Sequence, residues 1–318
     1  MIAFGPVPSR RLGKSLGINN IPSKICSYSC IYCQVGKTIN YEQRRREYYK
    51  PEDIFGDVQD LVVKLKKKQE KIDYFTFVAD GEPTLDCNLG HEIDLLKLLD
   101  HKIAVITNGS LITLPDVRDD LMKVDYISIK IDSVDHRVWK KINRPYKKLN
   151  LKTILEEIIS FSKIYKGRLT TETMLVDGVN CSYSNIENVA GFISKLQPFK
   201  AYVAIPTRPT ALKNLLRPDE STINRAFQIF NEKVDTVEYL IGYEGNDFGY
   251  SGQIEHDILS IASVHPLRLD SVNELLHKAR SNWEVIEHLL VHDKLKEVEY
   301  AGSKFYIRPA NTFARSGS

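Results

Sequence analysis

The sequence predicts an α/β fold built on a parallel sheet, followed by a smaller C-terminal unit. Strand-like segments alternate with helix-like segments over most of the chain, which is typical of βα units whose strands run parallel. The alternation stops at a glycine-rich segment, G-Y-E-G-N-D-F-G-Y-S-G, which indicates a linker. With 318 residues, 42% of them hydrophobic and 27% charged, the chain can bury one large core and a small second one. We therefore predict two domains, at residues 1–245 and 246–318.

The first domain is predicted to contain six strands, each joined to the next through a helical or loop segment. The strands are predicted at 15–21, 74–79, 103–107, 126–131, 170–176 and 201–206. Pro51 begins the first helix, whose apolar residues recur at helical spacing on one face: Ile54, Val58, Leu61, Val62 and Leu65. Further helices are predicted at about 90–99, 115–123, 135–142, 150–165 and 184–196. A crossing segment at 208–220, a helix at about 219–232 and a strand V-E-Y-L-I-G complete the domain.

The C-terminal unit is predicted to hold three helices and a β-hairpin. The helices are predicted at about 253–263, 270–279 and 282–292, and the hairpin strands are K-E-V-E-Y and K-F-Y-I-R. This order resembles a winged helix-turn-helix, in which the third helix and the wing often bind nucleic acid. Residues 253–318 carry eight Lys/Arg against nine Asp/Glu, and Glu284 and Glu287 lie in the third helix. Since an acidic helix suits a phosphate backbone poorly, we expect a protein-docking or lid role, with RNA contact through Lys304 and Arg308 left open.

Three of the five cysteines lie within eight residues, in C-S-Y-S-C-I-Y-C. Cys26, Cys30 and Cys33 are spaced by three and then two residues, which is neither a paired zinc-ribbon pattern nor a lone C-x-x-C redox motif. Three thiolates can hold an iron–sulfur cluster and leave one iron open to another ligand. The alternatives are a zinc site completed by a distant His, or three unrelated core cysteines. Cys87 and Cys181 stand apart, and we expect them to be ordinary buried residues.

The C-x3-C-x2-C spacing, with Tyr32 before the last cysteine, resembles the cluster loop of the radical S-adenosylmethionine (SAM) superfamily. In that family the three thiolates hold a [4Fe-4S] cluster whose fourth iron chelates the amino and carboxylate groups of SAM. One electron then cleaves SAM to a 5′-deoxyadenosyl radical, which abstracts a hydrogen atom from the substrate. The resemblance implies a partial (β/α)6 TIM-like barrel, in which function collects at the C-terminal ends of the strands.

The same resemblance suggests residues that bind SAM at the strand ends. Asp80-Gly81-Glu82-Pro83 resembles the family's G-G-E-P segment, with Asp80 in place of a glycine, and implies that Gly81 and Glu82 help hold the SAM amino group. Thr107 and Asn108 resemble the third-strand motif and suit a ribose or carboxylate. The alternative for each segment is a plain turn with a surface polar residue.

The fourth and fifth strands supply the remaining candidates. Alternation places Ser128, Lys130 and Asp132 on one face of a strand that contributes to the SAM ribose and carboxylate site in related enzymes. A Lys–Asp pair at the barrel rim is the alternative. Glu172 is an acid in mid-strand, which is costly unless the carboxylate is paired or belongs to a site. Thr207 and Arg208, after the last strand, are candidates for substrate contact, and Arg144 could lie over the same opening. For the two arginines we favour solvated positions.

Charge is concentrated near the cysteines. Residues 1–50 carry nine Lys/Arg against two Glu, a net charge of +7. This excess suits an anionic partner such as RNA or a phosphorylated metabolite. The alternative is that these residues balance the anionic cluster site or are simply solvated.

The leading hypothesis is a radical SAM enzyme that uses a low-potential electron donor and modifies RNA, since the chain looks closest to the single-cluster branch grouped with wyosine-type tRNA-modifying enzymes. One alternative is a protein or peptide modifier, or a glycyl-radical activase that docks a protein partner. A second is a non-enzymatic iron–sulfur sensor. We expect a cytoplasmic protein without a membrane partner, because the sequence shows no long apolar stretch, no signal peptide and no disulfide framework.

Overall fold

The computed structural model describes residues 2–78, 80–242 and 244–309. The strands are β1 (Ala3–Ser9), β2 (Gly13–Ile18), β3 (Ile25–Cys26), β4 (Asn40–Tyr41), β5 (Tyr74–Phe77), β6 (Lys102–Thr107), β7 (Tyr126–Lys130), β8 (Arg168–Met174), β9 (Lys200–Ala204), β10 (Val237–Leu240), β11 (Leu267–Arg268), β12 (Lys296–Tyr300) and β13 (Ser303–Ile307). The helices are α1 (Pro51–Lys67), α2 (Leu89–Leu96), α3 (Pro115–Leu121), α4 (His136–Ile142), α5 (Leu151–Ile164), α6 (Tyr183–Ser194), α7 (Glu220–Asn231), α8 (Ile254–Val264), α9 (Leu269–Lys278) and α10 (Glu284–Val291). Short 3-10 turns cover Pro83–Leu85 and Lys97–Leu99.

The main sheet has eight strands in the order β1-β2-β5-β6-β7-β8-β9-β10. The strands from β2 to β10 are parallel, and β1 pairs with β2 in the antiparallel direction. This confirms the predicted α/β fold with its six parallel strands. The predicted strand V-E-Y-L-I-G forms β10, which adds a seventh strand to the parallel set. Strand β1, which the sequence did not reveal, covers the other edge of the sheet. The predicted strand 74–79 includes Ala79, which lies outside the described residues.

The sheet curls so that its two edges approach at one end. Arg10, in the turn between β1 and β2, donates hydrogen bonds to the carbonyl oxygens of Tyr239 (3.3 Å) and Gly242 (3.0 Å). Tyr239 belongs to the opposite edge strand, β10. The result is an open half-barrel of the kind expected for a partial TIM barrel.

The elements form where local sequence favours them. Pro51 begins α1, two acids follow it in the first turn, and lysines occupy the last turn. The predicted apolar face of the helix is buried except at Val62, which is half-buried. Asp135, Asn150, Ser182 and Asp219 each cap the helix that follows by accepting a backbone N–H. The central strands are buried on both faces, as expected for a parallel sheet covered by helices.

The C-terminal segment has its own hydrophobic cluster. Helices α8, α9 and α10 pack Ile258, Leu275 and Ile286 together with Tyr306 from β13. The predicted hairpin forms from β12 and β13, and β11 adds a third antiparallel strand that the sequence did not predict. This segment packs against β1, where Val7 joins its cluster. Within the described ranges, no helix combines the length and apolarity needed to cross a membrane.

Candidate functional site

The three clustered cysteines open into one cavity at the C-terminal ends of the parallel strands. The cavity has a volume of about 240 Å³, and Cys26, Cys30 and Cys33 all line it as free thiols. It is also lined by seven of the residues predicted to bind SAM, which are Tyr32, Gly81, Glu82, Thr107, Asn108, Lys130 and Glu172. Residues far apart in sequence therefore meet at the strand ends, as the barrel prediction requires.

The cysteine loop is held by the backbone at the C-terminal end of α4 and just after it. Ser29 and Ile31 donate their N–H groups to the carbonyl oxygens of Asn143 (3.0 Å) and Ile142 (2.9 Å). In the reverse direction, Tyr146 N–H donates to the Ser27 carbonyl at 2.7 Å. These bonds fix a loop that would otherwise have few regular partners.

Hydrogen-bond donors reach two of the cysteine sulfurs. Asn108 Nδ2 lies 3.6 Å from Cys26 Sγ, and Asn143 Nδ2 lies 3.4 Å from Cys30 Sγ. Burial raises the pKa of all three thiols, and that of Cys30 to about 12, with Asp132 adding to the effect. Binding of a metal group must therefore displace thiol protons. The amide donors would then stabilise the thiolates, because N–H groups aimed at sulfur are a usual feature of iron–sulfur sites.

The segment after β5 is packed tightly beneath the cysteine loop. A Cβ at Gly81 would lie 1.8 Å from the carbonyl oxygen of Ile25, so only glycine fits there. The next residue, Glu82, is buried and accepts hydrogen bonds from the Thr107 hydroxyl (2.5 Å) and Asn108 N–H (2.8 Å). Glu82 thereby fixes the turn that brings Asn108 to Cys26.

An ion-pair cluster forms one wall of the cavity. Lys130 Nζ lies 2.6 Å from one Glu172 oxygen, and Arg11 donates to the other. Although burial alone would raise the pKa of Glu172, Lys130 and Arg11 lower it to about 2. Lys130 also lies over the Tyr32 ring, 5.7 Å from its centroid. Glu172, the mid-strand acid that was predicted to need partners, therefore has two of them, Lys130 and Arg11.

Two predicted SAM-binding residues do not line the cavity. Asp132 is buried, accepts hydrogen bonds from Tyr32 Oη, Asn143 Nδ2 (2.6 Å) and Met174 N–H (2.8 Å), and so ties the cysteine loop to α4 and β8. Ser128 is fully buried lower in β7, and its hydroxyl has no hydrogen-bond partner among the described residues. Alternation along β7 puts Ser128 and Asp132 on the same face as Lys130, but of these three residues only Lys130 lines the cavity.

Sequence reasoning missed a second charged group at the cavity. Arg208, which we expected to be solvated, pairs with Glu244 at 2.8 Å and donates to Gln34 Oε1 at 3.0 Å. Although burial would raise the pKa of Glu244, His265 and Arg208 lower it far below its usual range. These residues are brought together only by the curl of the sheet, so no local pattern could have paired them. Arg144 is exposed, as predicted.

The excess of basic residues in 1–50 is partly neutralised within the protein. Arg45 pairs with Asp116 at 2.7 Å and also with Asp120, Arg46 pairs with Glu42, and Arg11 pairs with Glu172. The structure therefore favours internal pairing for these members of the predicted basic region. Cys87 is exposed, so its predicted burial was wrong, whereas Cys181 is half-buried.

The residues present fit a cluster held by three thiolates. All three cysteines are free, face one cavity and have amide donors at two of their sulfurs. Over the described ranges, no group of three His, Cys, Asp or Glu side chains is positioned to hold a single metal ion.

Comparison with known proteins gives matches over most of the chain. The UPF0026 protein MJ1312 of Methanocaldococcus jannaschii is 49% identical over 309 residues, 96% of each chain. A probable dual-specificity RNA methyltransferase RlmN of Endomicrobium trichonymphae is 26% identical over 72% of this chain and 66% of its own. The solved structure of TYW1 with a lysine-pyruvate adduct bound covers 70% of this chain and 76% of its own, with 18% identity and a TM-score of 0.53, which shows a shared fold.

A model of a protein family also matches the part of the chain that forms most of the cavity. The model of the radical SAM superfamily matches residues 20–189, which include the three cysteines and the strands that form most of the cavity. Members of this superfamily are enzymes that use a [4Fe-4S] cluster and SAM. This chain belongs to the radical SAM superfamily.

Proposed function

We propose that Cys26, Cys30 and Cys33 hold the [4Fe-4S] cluster, and that the enzyme uses the resulting SAM chemistry to modify RNA. The observation that carries the cluster assignment is the convergence of these three free thiols on one cavity at the strand ends. A cluster held by these three cysteines would, when reduced, supply the one electron needed to cleave the sulfur–C5′ bond of SAM, with methionine and a 5′-deoxyadenosyl radical as the products. The electron comes from a low-potential donor.

The surrounding residues would orient SAM beside the thiols. Glu82 acts chiefly as a positioning residue, because its oxygens already accept hydrogen bonds from Thr107 and Asn108. Lys130 and Arg11 offer positive charge at the cavity wall, and Glu172 keeps both in place. Tyr32 faces the same space and is fixed through its hydroxyl by Asp132. Together they provide a polar surface for a charged cofactor.

RNA is the proposed substrate class for two reasons. A relative that aligns over 72% of this chain carries the name of an RNA methyltransferase. The chain also displays exposed basic residues next to the cysteine loop, including Arg44 and Lys148. A nucleotide would have to leave its stack to reach the cavity, as in other enzymes that act on bases.

The C-terminal segment is proposed to be a separate winged-helix-like domain, from residue 246 onward. Its own hydrophobic cluster and three-stranded sheet support that division. It lies against the cavity wall, since Gln34 Nε2 donates to the Val264 carbonyl at 3.0 Å. This contact favours the lid or docking role over the reading of DNA.

The test is an anaerobic assay of SAM cleavage with and without RNA. The reconstituted, dithionite-reduced protein would receive SAM and then bulk tRNA, and 5′-deoxyadenosine would be measured together with modified nucleosides in the digested RNA. We expect RNA to stimulate cleavage and to acquire a new nucleoside. Stimulation by a protein extract freed of RNA, with no effect of RNA itself, would contradict the RNA assignment and favour a protein substrate.

A further inference from the structure

A run of basic residues without acids lies next to the cysteine loop. Residues 136–155 contain seven Lys or Arg and no Asp or Glu. All seven are exposed, and they lie on α4, the loop after it and the first turn of α5. We refer to residues 137–152 as the basic strip. This run is visible in the sequence, but it lies outside residues 1–50, where the sequence analysis found the excess of positive charge.

The charge of the basic strip is almost wholly uncompensated. Within the described ranges, Lys152 alone among the seven has a carboxylate partner, with Nζ 3.9 Å from Glu156 Oε1. Lys141 donates to the carbonyl oxygen of Gly178 at 2.8 Å, which leaves its charge unpaired. Arg45, in contrast, is paired with two carboxylates. Exposed, unpaired cations at this density repel each other, and an external polyanion would relieve that repulsion.

The basic strip is joined directly to the candidate active site. The carbonyl oxygens of Ile142 and Asn143, within the strip, accept the hydrogen bonds that hold the cysteine loop. An open groove of about 640 Å³ is lined both by Lys148 of the strip and by Arg44. Asp116 also lines the groove, but it is paired with Arg45. Positive charge therefore continues from the strip into this groove.

We infer that the basic strip binds the phosphate backbone of the RNA substrate and places the target nucleotide at the cavity. This inference rests on the proposed function. Lysine is a usual contact for phosphates, and such contacts position the polymer without reading its sequence. Among the described residues of the strip, none is an exposed large hydrophobic side chain. A protein interface would need apolar or aromatic anchors at its centre, so the surface fits RNA better than an acidic protein.

The test compares two variants that each lose three positive charges. The strip variant carries Lys140→Gln, Lys147→Gln and Lys148→Gln. The control variant carries Lys64→Gln, Lys66→Gln and Lys67→Gln, which alter exposed lysines at the end of α1. Binding of fluorescent bulk tRNA would be followed by anisotropy over a range of salt concentrations. Thermal unfolding and RNA-independent SAM cleavage would establish that both variants are folded and active.

We expect the strip variant to bind tRNA at least about tenfold more weakly at 0.1 M salt, and the salt dependence of log K to become shallower by about 2 to 3, as three lost phosphate contacts require. The control variant should bind like the wild type. Equal binding by wild type and strip variant would overturn the inference while leaving the proposed function standing. Absence of both RNA binding and RNA-stimulated cleavage in the wild type would overturn the two together.

Discussion

Replacement of Glu172 by Gln should destabilise the folded protein by about 3 kcal/mol at neutral pH. Glu172 is the only carboxylate, among the described residues, that forms ion pairs with both Lys130 and Arg11. The exposed fractions of the three side chains are 6%, 25% and 16%, respectively. The neutral amide would leave two cations at the cavity wall without their counterion, and they cannot recover full hydration there.

The pKa shift of Glu172 and the usual cost of breaking a buried ion pair give similar losses of folding free energy. The pKa of Glu172 falls from 4.5 to about 2 on folding. At roughly 1.4 kcal/mol per unit, this corresponds to about 3 kcal/mol of stability at pH 7. Removal of one partner from a buried ion pair costs about 3–5 kcal/mol in other proteins. We expect a loss at the lower end of this range because Lys130 is partly exposed and keeps some contact with water.

The effect should depend on pH in a defined direction. Because the folded pKa lies below the unfolded value, the stabilisation is complete above about pH 4.5 to 5 and is lost as the pH falls towards 2. Urea unfolding followed by circular dichroism would compare wild type, Glu172→Gln and a control, Glu187→Gln, which removes the surface partner of Lys233. A loss for Glu172→Gln no larger than the control, or one that does not shrink in acid, would refute the reasoning.

Two further substitutions test the support of the cysteine loop. Gly81→Ala should displace the loop, since the added Cβ would meet the Ile25 carbonyl at 1.8 Å, and iron bound per chain after reconstitution should fall well below wild type; full iron loading would show that the loop adapts. Asp132→Asn puts an NH2 group in place of the carboxylate oxygen that accepts from Asn143 Nδ2, so two donors face each other. This substitution should lower the free energy of unfolding by about 1–3 kcal/mol. A melting temperature equal to that of the wild type would show that Asp132 is not the tether described above.

The sequence predicted the α/β fold with its parallel strands, and ten of the twelve residues predicted to bind the cluster or SAM line the cavity. The fold could be predicted because strand periodicity is local, and because parallel strands necessarily bring their C-terminal ends to one edge. Most of the candidate site residues came instead from the resemblance to the radical SAM motifs. Glu172 could be singled out because an unpaired acid inside a strand is costly.

Other features depend on the three-dimensional arrangement of the chain. The pair formed by Arg208 and Glu244 exists because the sheet curls and closes one end of the cavity. Strand β1 lacks clear alternation of polar and apolar residues and contains two prolines, so its pairing with β2 was not visible. Asp132 shares a strand face with Lys130 but lies beyond the end of β7, where the chain turns behind the cysteine loop.

The most direct test of the central claim is the iron content and SAM cleavage of cysteine variants. Wild type, Cys26→Ala, Cys30→Ala and Cys33→Ala would be reconstituted anaerobically with iron and sulfide, reduced, and assayed for 5′-deoxyadenosine. A double variant, Cys87→Ala/Cys181→Ala, is the matched control because neither residue lines the cavity. We expect about four irons per chain and product for wild type and control, with loss of product in each single variant. Product from any of the three variants at the wild-type rate would contradict the assignment of the cluster to this loop.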